Sequence, residues 1–363
     1  MNELRAVENR AVKSDVYGYA TGLIRAMEAK LIDRSDLAKI FETRQLDDVL
    51  RIMQDSGYEA GDGEQALNRE YHYIYELLSR IMPDKGFCDA LLLFNDCHNL
   101  KVVLKYLSAW WTKPEADEGK NADIPESDAG LAFQGLERMI RLPSLIEPSR
   151  LFRAVRDRQP DLIPKWLYDL ALKASERYLQ TYDIGRMDML IDKSAWSQAF
   201  IIAKALSNSF FTGYLQLKSD FINLEILLRC RSLGTGSKYL EQALLQESSI
   251  PTRQLLAAYE MDPDEFSLWL KQHPMMIKAS AEMIAELAEG YSKTGVAARY
   301  NKLADEKIIE WLDQAGLILR GPEIPLSYIL KREMEIKNLR IALTCLRNGI
   351  PPAQARELAR GNI

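Results

Sequence analysis

Lys218-Ser-Asp-Phe-Ile-Asn-Leu-Glu-Ile-Leu-Leu-Arg-Cys-Arg231 is the stretch whose reading decides the fold, because the chain carries it in outline three times. Aligned on its Asn-Leu pair, it matches Asp96-Cys-His-Asn-Leu-Lys-Val-Val-Leu-Lys105 upstream and Glu335-Ile-Lys-Asn-Leu-Arg-Ile-Ala-Leu-Thr344 downstream. Each copy has an acid (Asp96, Asp220 or Glu335) three residues before the asparagine. A leucine comes directly after it, and apolar residues stand three and five positions on. Asn99, Asn223 and Asn338 recur at intervals of 124 and 115 residues, a spacing that points to a repeated structural unit.

The surroundings of the three copies agree. Val16, Tyr19, Ala20, Leu23 and Met27 recur at spacings of three and four, one face of a 3.6-residue period. Asp33 and Asp36 open a second helix through Leu37, Ile40 and Phe41; Thr43 opens a third that ends at Gly57. Helices are expected over 67–82 and, after Pro83-Asp-Lys-Gly86, over 87–111, which holds the first copy. Prolines at 143, 148, 160 and 164 cut the next stretch into short pieces before a helix from 165 to about 179. The pattern continues over 183–190 and then from Trp196 to about Arg231, read as one helix with the second copy inside it. Gly234-Thr-Gly-Ser-Lys238 comes after a helix rather than a strand and lacks the Gly-x-x-x-x-Gly-Lys spacing, so it reads as helix termination and not a phosphate loop. Further helices are expected over 238–247, 252–258, 263–271, 275–289, 300–315, 326–346 and 353–359. No sustained period-two alternation is present, which makes the chain all-α. Each Asn-Leu copy then sits in a long helix late in a unit of its own. The expected division is 1–112, 131–236 and 237–363, with 113–130 as an acidic loop or insert.

Composition narrows the function. With 52 acidic against 47 basic residues and a formal charge of -5, nothing favours nucleic acid as a partner. No apolar run approaches the 18 to 20 residues of a membrane span, and Asn2-Glu-Leu-Arg5 after Met1 is not a signal-peptide start. Cys88, Cys97, Cys230 and Cys345 form no Cys-x-x-Cys pair and read as buried free thiols of a cytoplasmic protein. Three histidines without ligand spacing offer no zinc site, and no nucleophile elbow or dinucleotide fingerprint is present. An isoprenoid-diphosphate enzyme needs Asp-Asp-x-x-Asp, but Asp47-Asp48 is followed by Arg51. Adjacent Trp110 and Trp111 point in different directions on a helix, so one can face the core and the other a partner.

An asparagine inside a helix competes for backbone hydrogen bonds, so three at one register imply three buried groups that need its amide, such as a loop backbone. Lys105, Arg229 and Arg340 are placed to pair with other helices. The reading most consistent with this is internal stapling rather than contact with a substrate.

The same residues carry a family likeness. Tyr17-Gly-Tyr-Ala-Thr-Gly-Leu-Ile-Arg-Ala-Met-Glu-Ala-Lys-Leu-Ile32, then Leu46-Asp-Asp-Val-Leu50 and Asp55-Ser-Gly-Tyr58, resembles the opening of the C subunit of the V/A-type ATPases, which in the vacuolar enzyme is called the d subunit. Tyr214-Leu with Asp220 to Arg229 resembles its central motif, and Glu335-Ile-Lys-Asn-Leu-Arg340 its closing one. The resemblance implies a funnel of three similar helical domains about a pseudo-threefold axis. It would sit on the cytoplasmic face of the membrane, between the D and F shaft subunits and the ring of proteolipid (c or K) subunits. It would pass torque without binding a nucleotide, a cofactor or the ion. Tyr19, Arg25 and Glu28 are the first-motif positions that the likeness marks, alongside Asp96, Asn99, Asp220, Asn223, Arg229, Glu335 and Asn338. Leu23 stands where the family usually has Arg, and Thr344 where the other copies have Lys105 and Arg229. A helical interaction scaffold outside the ATPase is the alternative.

Overall fold

A computed structural model of the chain describes residues 16–111, 135–293 and 295–361. The acidic segment 113–130 and the side chains of Trp110 and Trp111 fall outside that description. Among the described residues there are helices and no strand, so the fold is all-α.

In chain order the α-helices are α1 (Gly18–Glu28), α2 (Arg34–Glu42), α3 (Leu46–Asp55), α4 (Gly63–Ile81), α5 (Gly86–Trp111), α6 (Pro148–Arg156), α7 (Lys165–Thr181), α8 (Ile184–Leu206), α9 (Ser209–Leu233), α10 (Ser237–Ala243), α11 (Thr252–Glu260), α12 (Pro263–Gln272), α13 (Ala281–Glu289), α14 (Val296–Asp313), α15 (Glu323–Arg347) and α16 (Pro352–Leu358). They form two compact units. One is Gly86–Leu206, built from α5 to α8; the other joins Met1–Lys85 to Ser207–Ile363.

In the Gly86–Leu206 unit the organising element is α5. Phe87, Cys88, Ala90, Leu91, Leu92, Leu93, Cys97 and Leu100 are buried and spread around its circumference, the signature of a core helix rather than a surface one. α8 packs along it, with Phe94 meeting Trp196 at a ring separation of 4.9 Å. Lys101 and Lys105 of α5 reach Asp192 and Asp188 of α8 at 2.6 and 2.7 Å. α6 starts at a proline, where the missing N–H costs nothing, and Glu147 caps its first turn by accepting from the Ser149 and Arg150 N–H groups.

In the larger unit α9 and α15 play the same part. Phe221, Leu224, Leu227 and Leu228 of α9 pack with Leu240, Leu255, Phe266, Leu287, Tyr300 and Leu303. α15 buries Ile324, Leu326, Tyr328, Ile329, Ile336, Leu339 and Leu343 and packs on α4 and α1. Arg231, near the end of α9, donates to the carbonyls of Ala258, Tyr259 and Met261 at 2.6, 2.7 and 2.9 Å, satisfying the end of α11. Its guanidinium stacks 3.9 Å from the Phe266 ring.

Several boundaries differ from the sequence reading. The helix expected from Trp196 to Arg231 is two helices, because Ser207 takes φ 51° and Asn208 caps α9 by accepting from the Phe211 N–H at 2.8 Å. Upstream, the two pieces expected either side of Asp192 are the single helix α8. The helix expected over 275–289 begins only at Ala281, where Ser280 caps it; Pro274–Met276 is a 3₁₀ turn. Thr43 does not cap α3. Its hydroxyl donates to Asp48 and accepts from Gln45 N–H, which places the helix start three residues later. Asp33, Gly57 and Gly234 do what their positions implied: Asp33 accepts from Asp36 N–H, and both glycines take positive φ at helix ends.

Gly213 marks a very close helix approach in the larger unit. A Cβ there would clash with the edge of the Trp311 ring of α14, and that ring is held by its own Nε1–H bond to the Phe210 carbonyl at 3.1 Å. Gly213→Ala would raise helix propensity by ~1 kcal/mol yet overpack by ~1–3 kcal/mol. The expected outcome is a net loss of stability, read as a lower urea midpoint with an unchanged slope.

Candidate functional site

The three long helices α5, α9 and α15 present the same side chains to the same kind of target. Asn99 Nδ2 donates to the Arg141 carbonyl at 3.0 Å, while its Oδ1 accepts from the Arg141 N–H at 2.8 Å. Asn223 does this with Leu245 at 2.9 and 2.8 Å. Asn338 does it with Arg360 at 2.9 and 2.7 Å. Each amide thus bonds both backbone groups of one residue in a returning loop, and each is buried. A severed pair would leave an N–H and a C=O without partners, costing about 1–3 kcal/mol for each.

One turn earlier, the acids anchor the chain beyond that loop. Asp96 accepts from Ile146 N–H at 3.1 Å. Asp220 accepts from Ser249 N–H at 2.6 Å and from the hydroxyls of Ser248 and Ser249. Glu335 accepts from Ile32 N–H at 2.7 Å. In the first two copies the residue four before the asparagine adds a bond: Asn95 to the Pro143 carbonyl at 2.8 Å and Ser219 to the Glu247 carbonyl at 3.2 Å. His98 also contacts the first loop, through Nε2 to the Met139 carbonyl at 3.0 Å.

The third copy is different in charge. Arg332 is buried and donates to Glu70 at 2.8 Å, to Glu335, to the Ser56 carbonyl at 3.0 Å and to the Lys30 carbonyl at 3.3 Å. Tyr58 donates to Glu335 at 2.7 Å and lies 4.1 Å under the Arg332 guanidinium. Two carboxylates around one guanidinium, all hydrogen-bonded, is an arrangement that tolerates burial; removing one partner would strand a charge. Burial pushes the Glu335 carboxyl above its ordinary range, and Arg332 with the Tyr58 hydroxyl pulls it back. Nothing in the sequence patterning pairs Arg332 with Glu70, 262 positions away.

The other positions that the sequence marks do not join this set. Arg25 pairs with Glu28 at 2.8 Å and donates to the Ala315 and Ile318 carbonyls, both at 3.2 Å, so it holds the turn before α15. Tyr19 on the same helix is 76% exposed. Arg229 bonds Glu225 on its own helix at 2.6 Å and lies 5.8 Å from the Tyr291 ring. Lys105 and Arg340 do reach other helices, at Asp188 and at Glu64.

Chemically, these arrangements bond backbone and close loops. The side-chain amides of the three asparagines are turned onto their own chain. Among the described residues no three His, Cys, Asp or Glu side chains converge as metal ligands, and no helix is long and apolar enough to cross a membrane. All four cysteines are free and buried.

The family model for the ATP synthase (C/AC39) subunit matches residues 20–358, and the chain belongs to that family. It is similar to the C subunit of the A-type ATP synthase of Desulfurococcus sp. (strain SY), 23% identical over 361 residues, with 94% of this chain and 90% of that one covered. It is also similar to the subunits of the same name from Methanocaldococcus jannaschii, 23% identical with 94% and 86% covered, and Thermococcus kodakarensis, 20% identical with 94% and 89% covered.

The first acid gives a pH test. Burial raises the Asp96 pKa from 3.8 to about 7, with the Ile146 N–H opposing the shift. Because the folded pKa is raised, the protonated form is favoured in the native state. That contribution is complete below about pH 4 and is lost as pH rises through about 7. Asp96→Asn keeps an acceptor for Ile146 and removes the charge. It should therefore stabilise the protein at about pH 8, by an upper bound of about 4 kcal/mol, with the gain shrinking towards about pH 4. Thermal melts of both proteins across this pH range measure the effect; a gap that does not change with pH contradicts it.

Proposed function

We propose that this chain is the non-catalytic central-stalk subunit of a V/A-type ATPase or synthase. The observation that carries the reading is the match of the ATP synthase (C/AC39) subunit model across nearly the whole chain. The bonding at Asn99, Asn223 and Asn338 supports it, since three equivalent locks within one chain are what a body of three similar helical units requires. In this proposal the units form a funnel with pseudo-threefold symmetry on the cytoplasmic face of the membrane. The funnel receives the foot of the D/F shaft and rests on the proteolipid ring.

Such a part needs stiffness more than chemistry. It must carry torque between a nucleotide-driven head and an ion-carrying ring without local unfolding, and loops bonded at both N–H and C=O resist opening. Asp96, Asn99, Asp220, Asn223, Glu335 and Asn338 act through that stiffness inside the units, and Arg25 with Glu28 at the turn before α15. Contact with shaft and ring falls to other surfaces, which must be polar enough to stay soluble before assembly.

The test is capture of the complex from membranes through a tag on this chain. The D and F subunits and the proteolipid should co-purify, and ATP-driven ion uptake by reconstituted vesicles should depend on the chain. Truncation after Lys331, which removes Asn338 and its loop, should abolish both. A stable complex with none of these partners, or full coupling by the truncated chain, would overturn the proposal.

A further inference from the structure

We infer that residues 32–85 are the missing part of the third unit, so that the repeat is circularly permuted and closed by a non-covalent seam between the two ends of the chain. This rests on the proposed three-unit body, but its test uses the isolated protein, so failure of the assembly experiment leaves it standing.

The bonds supply the alignment. From the asparagine to its loop residue is 22 positions in the second and third copies and 42 in the first; the extra length of the first contains the acidic 113–130 segment. Five positions before the loop residue stand Leu136, Leu240 and Ala355, all buried. Beyond the loop residue, the acid binds Ile146 in the first copy and Ser249, next to Ile250, in the second. In the third copy the bond goes instead to Ile32, 303 positions upstream of the acid.

The segment after Ile32 matches the segments after Ile146 and Ile250. Each leads into a helix of nine residues: α6, α11 and α2. Leu151, Leu255 and Leu37 are buried five positions after the isoleucine; Ala154, Ala258 and Ile40 are buried eight after it. Next come Pro160-Asp-Leu-Ile163, Pro263-Asp-Glu-Phe266 and Leu46-Asp-Asp-Val49, each with its last residue buried. Each series ends in a helix that packs back on the long helix of its own unit: α8 on α5, α14 on α9, α4 on α15. The next long helix then begins, α8 into α9, α14 into α15 and α4 into α5. The unit boundaries therefore fall near 85/86, 206/207 and 322/323, and the third unit is 323–361 with 32–85.

This explains why only the third copy carries a buried arginine beside its acid. In the first two, the loop residue and the acid's target are four or five positions apart, so the chain itself holds them together. In the third they come from opposite ends, and closure entropy must be met by bonds instead. Six positions before the asparagine the first two copies have Leu93 and Leu217, and the third has Arg332. Arg332 is the residue that grips Ser56 and Glu70 of the incoming segment, and the Lys30 carbonyl just ahead of it. A surface pocket of about 290 Å³ opens between Ile40 and Phe41 on one side and Ala342, Cys345, Leu346 and Pro351 on the other. The polar bonds of Arg332 fix the register across this seam.

Two experiments on the full-length chain test the seam. A permutant starting at Gly86 and ending at Lys85, with Ile363 joined to Met1, moves the break to a unit boundary and should melt in one cooperative transition like the native chain. In the native order, Arg332→Leu should speed amide exchange at 30–58 and 352–361 by about tenfold or more, and at the Asn223 loop by less than about threefold. Should that variant not fold, Tyr58→Phe, which removes only one bond to Glu335, should show the same selectivity at smaller size. Loss of the cooperative melt in the permutant, or faster exchange spread evenly over 207–361, would overturn the inference.

Discussion

The structure depends on one interaction made three times: an asparagine amide, buried in the middle of a long helix, pairing with both backbone groups of a single loop residue. A helix interior has no spare backbone groups to offer a returning loop, so a loop that packs against it must find partners in side chains. Asparagine is short enough to be held rigidly and carries a donor and an acceptor on one planar group, which is the complement of a peptide N–H and C=O. Leucine at the same place would bury as well and leave the loop unsatisfied. The helix propensity lost at Asn99, Asn223 and Asn338 is roughly a few tenths of a kcal/mol each, small beside two unmade buried hydrogen bonds.

The acids one turn earlier extend the hold to the next segment, and their different surroundings show how covalent connection substitutes for charge. Asp96 is met mainly by a backbone N–H, and Asp220 adds two serine hydroxyls. Glu335, whose target comes from the other end of the chain, sits within a network of Arg332, Glu70 and Tyr58. A buried ion cluster contributes little raw stability compared with apolar packing, but it specifies partner and register. Its place at the junction of the two chain ends is where register is least constrained by connectivity. In a torque-bearing socket of the kind proposed, this junction is the point at which the three-unit series could part.

What was legible in the sequence was set by the range of each interaction. Spacing found the long helices and the three asparagines, because a helix face and a repeat both write themselves into local order. Caps with a fixed local target, such as Asp33, were legible for the same reason. The break at Ser207-Asn208 was hidden because apolar residues continue on both sides; the one signal available was Asn208 itself as a cap before Phe210-Phe211. Thr43 misled because its hydroxyl bonds Asp48 rather than the start of the helix directly after it. Arg332 with Glu70, and Glu335 with Ile32, could not be read from position, since sequence distance carries no trace of a partner at the other end of the chain. The substitution of Arg332 for Leu93 and Leu217 was visible in principle, once the copies were aligned six residues upstream of the asparagine.

The most direct test of the central claim is amide exchange resolved at Arg141, Leu245 and Arg360, whose N–H groups each donate to an asparagine Oδ1. In the native chain the three should be protected to a similar degree. Replacing one asparagine by alanine should release its own loop amide and leave the other two protected. Fast exchange at any of the three in the native protein, or release of all three by a single replacement, would contradict the account.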